Sequence, residues 1–195
     1  MKKAIKTLVS LFEINRAEES SRTEKYRKTV EERAPKAILL SCPQQLRMVS
    51  ADRESLYTVE SFGGTIFGNE ATLDHAVRRL QIPLLCVMGH HGCDAIVHQP
   101  KINNATDAEK ALYDHIAEGL EGAPKSGVKR TLMHIDAQVS AALSRYGDVV
   151  KTGKLAIVGI YGDETGKLFL TNYNGLKGKD ALGYSLPDVD AEYFI

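Results

Sequence analysis

The sequence carries no excess of charge of either sign. Its 195 residues include 25 basic and 25 acidic side chains, so the formal net charge at pH 7 is +0. Proteins that bind nucleic acid or acidic membranes usually present a basic face, and no such concentration of lysine and arginine is found. The sequence therefore predicts no nucleic-acid partner and no membrane partner. A near-neutral surface also gives little repulsion between copies, which favours a homo-oligomer.

Tryptophan is absent and cysteine is scarce, with three cysteines in the chain. An odd number of cysteines in a chain of this length is not the disulfide framework of a small secreted domain. No apolar stretch is long enough to span a membrane. The start, Met1 to Phe12, is interrupted by Lys6 and lacks the small-residue cleavage site of a signal peptide. These absences predict a cytoplasmic protein whose thiolates are free to bind metal.

Short apolar runs alternate with helical periodicities along residues 35–195. Such alternation is typical of an α/β domain, here with a mainly parallel β-sheet flanked by helices and an antiparallel edge hairpin. Asn69 is predicted to cap one helix, and Thr106 with Glu109 forms a capping box for another. The predicted strands are 37–41, 56–59, 84–88, 155–160 and 167–170. The predicted helices have apolar faces formed by Leu73, Ala76, Val77 and Leu80, by Ala108, Leu112, Ile116 and Leu120, and by Val128, Leu132, Ile135, Val139, Leu143 and Tyr146.

The first 34 residues are predicted to form a separate helical arm. Apolar residues from Ile5 to Phe12 recur at helical spacing, and Ser21 with Glu24 fits a capping box for a second, very polar helix. Pro35 ends this segment. The polar helix is either a solvated face or an arm lying on a partner subunit.

Two segments could together build one metal site. Cys42 ends the first predicted strand, and His90-His-Gly-Cys93 follows the third. In parallel sheets, ligands bind at the carboxyl ends of the strands, so these side chains are expected to converge. We expect His90 and Cys93 to lie one turn apart on a nascent helix. Two cysteines and one histidine are three ligands for zinc, and an open fourth position is typical of a catalytic site.

The remaining cysteine and histidines are interpreted without a ligand role. Cys86 lies inside a predicted strand, where free cysteine usually behaves as a small hydrophobic residue. The other histidines are predicted to be ordinary surface or helix-face residues: His75, His98, His115 and His134.

Most of the chain, from about Pro35 to Leu170, resembles the β-class carbonic anhydrases. Gly89-His-His-Gly-Cys-Asp-Ala95 is similar to their Gly-His-(Ser/Thr)-x-Cys-Gly-Ala segment, and Ala37-Ile-Leu-Leu-Ser-Cys42 resembles their first zinc strand. Residues 69–77 and 158–166 are similar to a helix and a hairpin of the same family. The resemblance implies Zn²⁺ held by Cys42, His90 and Cys93, and a dimer in which N-terminal helices wrap over the partner.

The sequence departs from that family beside the first ligand. The family pattern is Cys-x-Asp-x-Arg, whereas this chain has Gln44 at the aspartate position and Leu46 at the arginine position. In the family, the aspartate accepts a hydrogen bond from the water that the metal activates, and the arginine holds the aspartate. Gln44 can orient a water but cannot take a proton. Further departures are expected to line the pocket or support the ligands: Arg33, Glu60, His91 and Asp94.

Two classes of function follow from these residues. The first is a zinc lyase or hydrolase of carbonic anhydrase type that hydrates CO₂ to bicarbonate, weakly, or hydrolyses a sulfur analogue such as COS or CS₂. The second is a catalytically silent, zinc-stabilised dimer that serves as a binding or scaffold protein. The missing Asp/Arg pair is the main support for the second.

Overall fold

The computed structural model describes residues 35–45, 55–97, 105–123 and 127–177. Leu46 and His98 lie outside these residues, and so does the predicted arm over 1–34, which includes Arg33. Its helical structure and its contact with a partner therefore stay predictions.

A six-stranded sheet forms the centre of the described domain. Parallel pairing joins the first four strands, and antiparallel pairing adds the last two at one edge, in the order β2-β1-β3-β4-β5-β6. This confirms the predicted α/β class with an antiparallel edge hairpin. The strands are β1 (Ala37–Ser41), β2 (Leu56–Glu60), β3 (Leu84–His90), β4 (Ala156–Gly162), β5 (Leu168–Tyr173) and β6 (Leu176–Lys177).

Helices and short turns connect the strands. Thr106 and Glu109 form the predicted capping box at the start of one helix, with the Glu109 backbone N–H donating to the Thr106 hydroxyl and the Thr106 N–H donating to the Glu109 carboxylate. Two 3₁₀ turns, Pro43–Gln45 and Phe62–Gly64, follow β1 and β2. The helices are α1 (Glu70–Asp74), which continues as a π-helical turn over His75–Arg79, α2 (Asp94–Val97), α3 (Asp107–Glu118) and α4 (Gly127–Lys151).

The inner strands are buried on both faces, which explains their continuous apolar runs. Alternate residues divide between two apolar clusters: Ile38, Leu40, Leu85, Val87 and Ile157 pack with α1 and α4, whereas Leu39, Cys86, Met88 and Val158 pack on the opposite face. Burial raises the pKa of the Cys86 thiol to about 11, so this cysteine behaves as the small hydrophobic residue that was predicted.

Two glycines let the long helix α4 approach the sheet closely. A Cβ atom at Gly89 would lie 2.8 Å from Cδ1 of Ile135, and one at Gly159 would lie 2.6 Å from Cγ2 of the same side chain. These separations are too short for any side chain, so β3 and β4 need glycine where Ile135 crosses them. The contact fixes α4 against the end of β3 that carries His90.

Three details of the sequence prediction are wrong. Asn69 occupies the N-cap position of α1, but its side chain donates to the Thr65 carbonyl instead of capping the helix. Leu80 is exposed, because the π-helical turn shifts the helical face before that position. The strand predicted over 167–170 runs on to Tyr173 as β5.

None of the helices in the described parts of the chain combines the length and the apolar character needed to cross a bilayer. Location in the cytoplasm stays a prediction, as does the lack of a nucleic-acid partner.

Candidate metal centre

The topology brings the three predicted ligands to one edge of the sheet. Cys42 directly follows β1, and His90 is the last residue of β3. Because β1 and β3 are adjacent and parallel, their carboxyl ends lie side by side. Cys93 follows two residues of turn, one of them Gly92 with a φ of +65°, and precedes α2. The predicted nascent helix through His90 and Cys93 is therefore wrong: His90 belongs to the strand, and α2 starts only after Cys93.

The ligand atoms form a compact, buried group. The sulfur atoms of Cys42 and Cys93 and a ring nitrogen of His90 all lie within 4.8 Å of one another. The exposed fractions of these residues are 4%, 1% and 5%. Three potential ligands enclosed in this way could hold one metal ion, and this is the one such group of histidine, cysteine and carboxylate residues found in the described parts of the chain.

The hydrogen bonding of His90 supports a ligand role. Its Nδ1 lies 2.8 Å from the carbonyl oxygen of His91, which can only accept, so Nδ1 carries the proton. The other nitrogen, Nε2, is then the one that could bind a metal. It is buried and has no hydrogen bond of good geometry among the described residues. Metal-binding histidines usually donate their second ring N–H to a backbone carbonyl or carboxylate in this way, so the residues present fit a metal.

The protein without metal keeps one proton between the two cysteines. The Cys93 thiol donates to the Cys42 sulfur, which lowers the pKa of Cys42 to about 4 and raises the pKa of Cys93 well above its usual range. The Cys42 sulfur also raises the pKa of His90. Backbone N–H groups of Gln44 and Gly63 donate to Cys42, and those of Ala95 and Ile96 donate to Cys93. Each of these amides favours the thiolate, which is the form that binds metal.

A buried histidine supports the turn beside Cys42. Nε2 of His134, on α4, donates to the Gly63 carbonyl at 2.8 Å, and Gly63 in turn donates its own N–H to the Cys42 sulfur. His134 is 1% exposed, so the surface alternative of its prediction is wrong, and the residue lies on the buried face of α4. Helical periodicity predicted its helix but not the depth at which this side chain lies. His134 therefore links the long helix to the first cysteine.

Burial of His134 has a consequence for stability. It lowers the pKa of the imidazole from 6.5 to about 4. Above pH 6.5, His134 is neutral in both the folded and the unfolded chain and has no effect. As the pH falls from 6.5 towards 4, the unfolded chain takes up a proton that the folded protein excludes, so the free energy of unfolding decreases by roughly 3 kcal/mol.

The change His134→Gln should remove this pH-dependent loss of stability. The amide N–H of glutamine can still donate to Gly63 but does not titrate, so the variant should lose roughly 3 kcal/mol less than the wild type between pH 7 and pH 4. Urea unfolding at a series of pH values measures the difference. Parallel pH curves for the two proteins would contradict the buried, neutral state of His134.

Gln44 and Asp94 meet at the rim of this group. Nε2 of Gln44 donates to Oδ2 of Asp94 at 3.4 Å, and both residues are exposed. Glu60, the last residue of β2, is also exposed and pairs in register with Ser41, one residue before Cys42. The predicted pocket residues Gln44, Asp94 and Glu60 therefore lie on or beside the segments that carry the cysteines.

His91 lies at the same end of the sheet, and its side chain contacts β4 and the turn that follows β4. Its Nδ1 is 3.3 Å from the Tyr161 hydroxyl, and its Nε2 is 3.6 Å from a carboxylate oxygen of Glu164. The side chain is 45% exposed, and its backbone carbonyl holds His90. The support that His91 gives the ligand is thus through its main chain. Sequence reasoning assigned no role to Tyr161 or Glu164, because nothing in their spacing ties them to His91.

Comparisons with known proteins agree with this architecture. No protein-family model and no curated protein sequence matches the chain. Several solved structures do. One is a structure of the β-carbonic anhydrase CcaA, with 14% identity, a TM-score of 0.69, and coverage of 93% of this chain and 96% of that one. Another is a Coccomyxa β-carbonic anhydrase in complex with acetazolamide, with 18% identity, a TM-score of 0.67, and coverage of 84% and 85%.

A third similar structure is a β-carbonic anhydrase of the filamentous ascomycete Sordaria macrospora, described as tetrameric. It has 12% identity and a TM-score of 0.66, and the match covers 87% of this chain and 97% of that one. At such identities the likeness shows the fold alone. The chain therefore has a divergent β-carbonic-anhydrase-like fold, as its sequence predicted.

Proposed function

We propose that this chain is a zinc enzyme of β-carbonic-anhydrase type, acting on CO₂ or on a related small molecule such as COS or CS₂. The observation that carries the proposal is the buried group of Cys42, His90 and Cys93, in which Nδ1 of His90 donates to the His91 carbonyl and Nε2 is left for a metal. The fold similarity supports the same reading.

The donor set favours zinc over other common ions. Thiolate and imidazole ligands suit zinc, whereas magnesium and calcium require oxygen ligands. Cys42 and Cys93 as thiolates would neutralise the charge of the ion, and with His90 as the third ligand a fourth position would stay open. When bound, zinc would supply Lewis acidity and a water-derived nucleophile near neutral pH.

The protein around the ligands keeps bulk water from the sulfurs. Both cysteines pack in a small apolar cluster with Ala95, Ile96 and Ile116, all fully buried. An apolar wall suits a small uncharged substrate, which loses little hydration on entering. At the rim, Gln44 can accept or donate a hydrogen bond but cannot remove a proton, so CO₂ hydration is expected to be weak.

A catalytically silent, zinc-stabilised dimer that binds or scaffolds a partner is the second candidate. The observation that favours it is the side chain at position 44. Gln44 is an amide that cannot accept a proton, and its nitrogen is already hydrogen-bonded to Asp94. In either case we expect a cytoplasmic homodimer or a higher homo-oligomer, such as the tetramer described for the Sordaria protein.

An activity measurement separates the two candidates. The zinc-loaded protein should accelerate CO₂ hydration above the buffer rate by stopped-flow, or accelerate the loss of COS measured by gas chromatography. Protein from which zinc has been removed is the matched control. If the zinc-loaded protein accelerates neither reaction, the enzyme proposal is wrong and the silent dimer stands.

A further inference from the structure

The two segments that carry the cysteines are joined at the surface by one side-chain contact. Gln44 lies in the turn after Cys42, and Asp94 begins α2 directly after Cys93. Nε2 of Gln44 donates to Oδ2 of Asp94 across a separation of 50 residues in the chain. Both residues therefore sit beside a candidate ligand, and each has the other as its partner.

We infer that Asp94 is a positioning residue that fixes which way the Gln44 amide faces, leaving the carbonyl oxygen Oε1 as the acceptor for a ligand at the open metal position. This inference rests on the proposed function. It assigns Gln44 and Asp94, as a pair, a role that neither residue could perform alone.

The argument follows from what each group can donate and accept. A glutamine amide has a donor end and an acceptor end of nearly the same shape, and an isolated amide can present either. An ionised carboxylate only accepts, so Asp94 can bond only to the nitrogen end. The flipped amide would place its oxygen against the carboxylate, so the contact at 3.4 Å favours the orientation with Nε2 towards Asp94.

A fixed acceptor would discriminate between ligands of the metal. Water and hydroxide have an O–H group that can donate a hydrogen bond to Oε1, whereas azide has no donor. A ligand without a proton would meet the oxygen lone pairs and gain no hydrogen bond. Azide should therefore bind weakly to the wild-type protein, and more tightly when the acceptor is removed or free to rotate.

Asp94 could also weaken azide binding through its own negative charge. The two explanations differ in how mutations combine. If Asp94 acts through Gln44, removing Asp94 has no further effect once Gln44 is absent. If it acts by charge, the effects of the two changes multiply.

The experiment is a double-mutant cycle on the cobalt(II)-loaded full chain, with azide binding followed by visible absorption. Gln44→Ala and Asp94→Ala should each tighten azide binding about fivefold, the value of one hydrogen bond, and the double variant should bind no tighter than either single variant. Asp94→Glu, which keeps an acceptor-only group, should stay close to the wild type. Asp107→Ala is the matched control, because Asp107 is an exposed aspartate that begins α3 and pairs with Lys110.

A second readout reports the amide directly. In zinc-loaded protein labelled with ¹⁵N, one side-chain amide proton of Gln44 should resonate downfield, and Asp94→Ala should abolish that shift while the rest of the spectrum shows a folded protein. Multiplying effects in the cycle, or azide binding that tightens in Asp94→Ala but not in Gln44→Ala, would overturn the positioning role. If the wild-type protein binds no cobalt, the proposed function fails as well. If cobalt binds but the effects of the two mutations multiply, only this inference is contradicted.

Discussion

Cys42→Ser and Cys93→Ser should each abolish tight zinc binding, whereas Cys86→Ser should retain about one zinc per chain. Each of the first two changes removes one of three ligands, and a hydroxyl is a poor replacement for a thiolate. Cys86 is buried too, but it lies on the other face of the sheet among apolar side chains. Elemental analysis of purified, dialysed protein measures the metal content.

The ligand variants should also lose stability, because metal binding contributes to folding free energy. Their thermal unfolding should shift to lower temperature and become insensitive to a zinc chelator, whereas Cys86→Ser should respond to the chelator as the wild type does. Cys86→Ser is the matched control, since it makes the same chemical change at another buried cysteine. Zinc retained in Cys93→Ser and lost in Cys86→Ser would mean that the ligands are assigned wrongly.

The second large effect is expected from restoring the carboxylate pattern that the sequence lacks. Gln44→Asp together with Leu46→Arg and Asp94→Gly should raise the rate of CO₂ hydration about 10²-fold, because a positioned proton acceptor typically contributes that much. The third change is needed because the Gln44 side chain bonds to the carboxylate of Asp94. A new aspartate at position 44 would face a like charge there, which would repel it from its working position.

Stopped-flow measurements on zinc-loaded variants test this design. Gln44→Asp with Leu46→Arg, but with Asp94 retained, is the comparison and should gain much less than the triple variant. Asp94→Gly alone should gain nothing, because position 44 still lacks a carboxylate. A folded, zinc-loaded triple variant with no gain would show that other departures, such as Glu60, adapt this pocket to another task.

The sequence predicts the sheet and the position of the metal centre well, for a physical reason. Strands buried on both faces leave continuous apolar runs, and residues that end two adjacent parallel strands must lie near each other. Cys42 and His90 meet both conditions, so their convergence follows from local signals and one rule of topology.

Contacts between distant segments could not be predicted in the same way. The bond from His134 to Gly63 spans 71 positions, and periodicity says which face of a helix is apolar but not how deeply one residue is buried. The contact of Gln44 with Asp94 depends on the path of two short turns. Leu80 was misplaced because a π-helical turn changes the helical phase, and no sequence signal marks that turn.

X-ray absorption at the zinc edge of the purified protein tests the central claim most directly. Ligation by Cys42, His90 and Cys93 predicts two sulfur atoms at about 2.3 Å and two nitrogen or oxygen atoms at about 2.0–2.1 Å, one of them from the imidazole and one from a molecule at the open position. In Cys42→Ser the sulfur component should disappear together with the metal. A zinc ion surrounded only by nitrogen and oxygen, or by three or more sulfurs, would contradict the proposed centre.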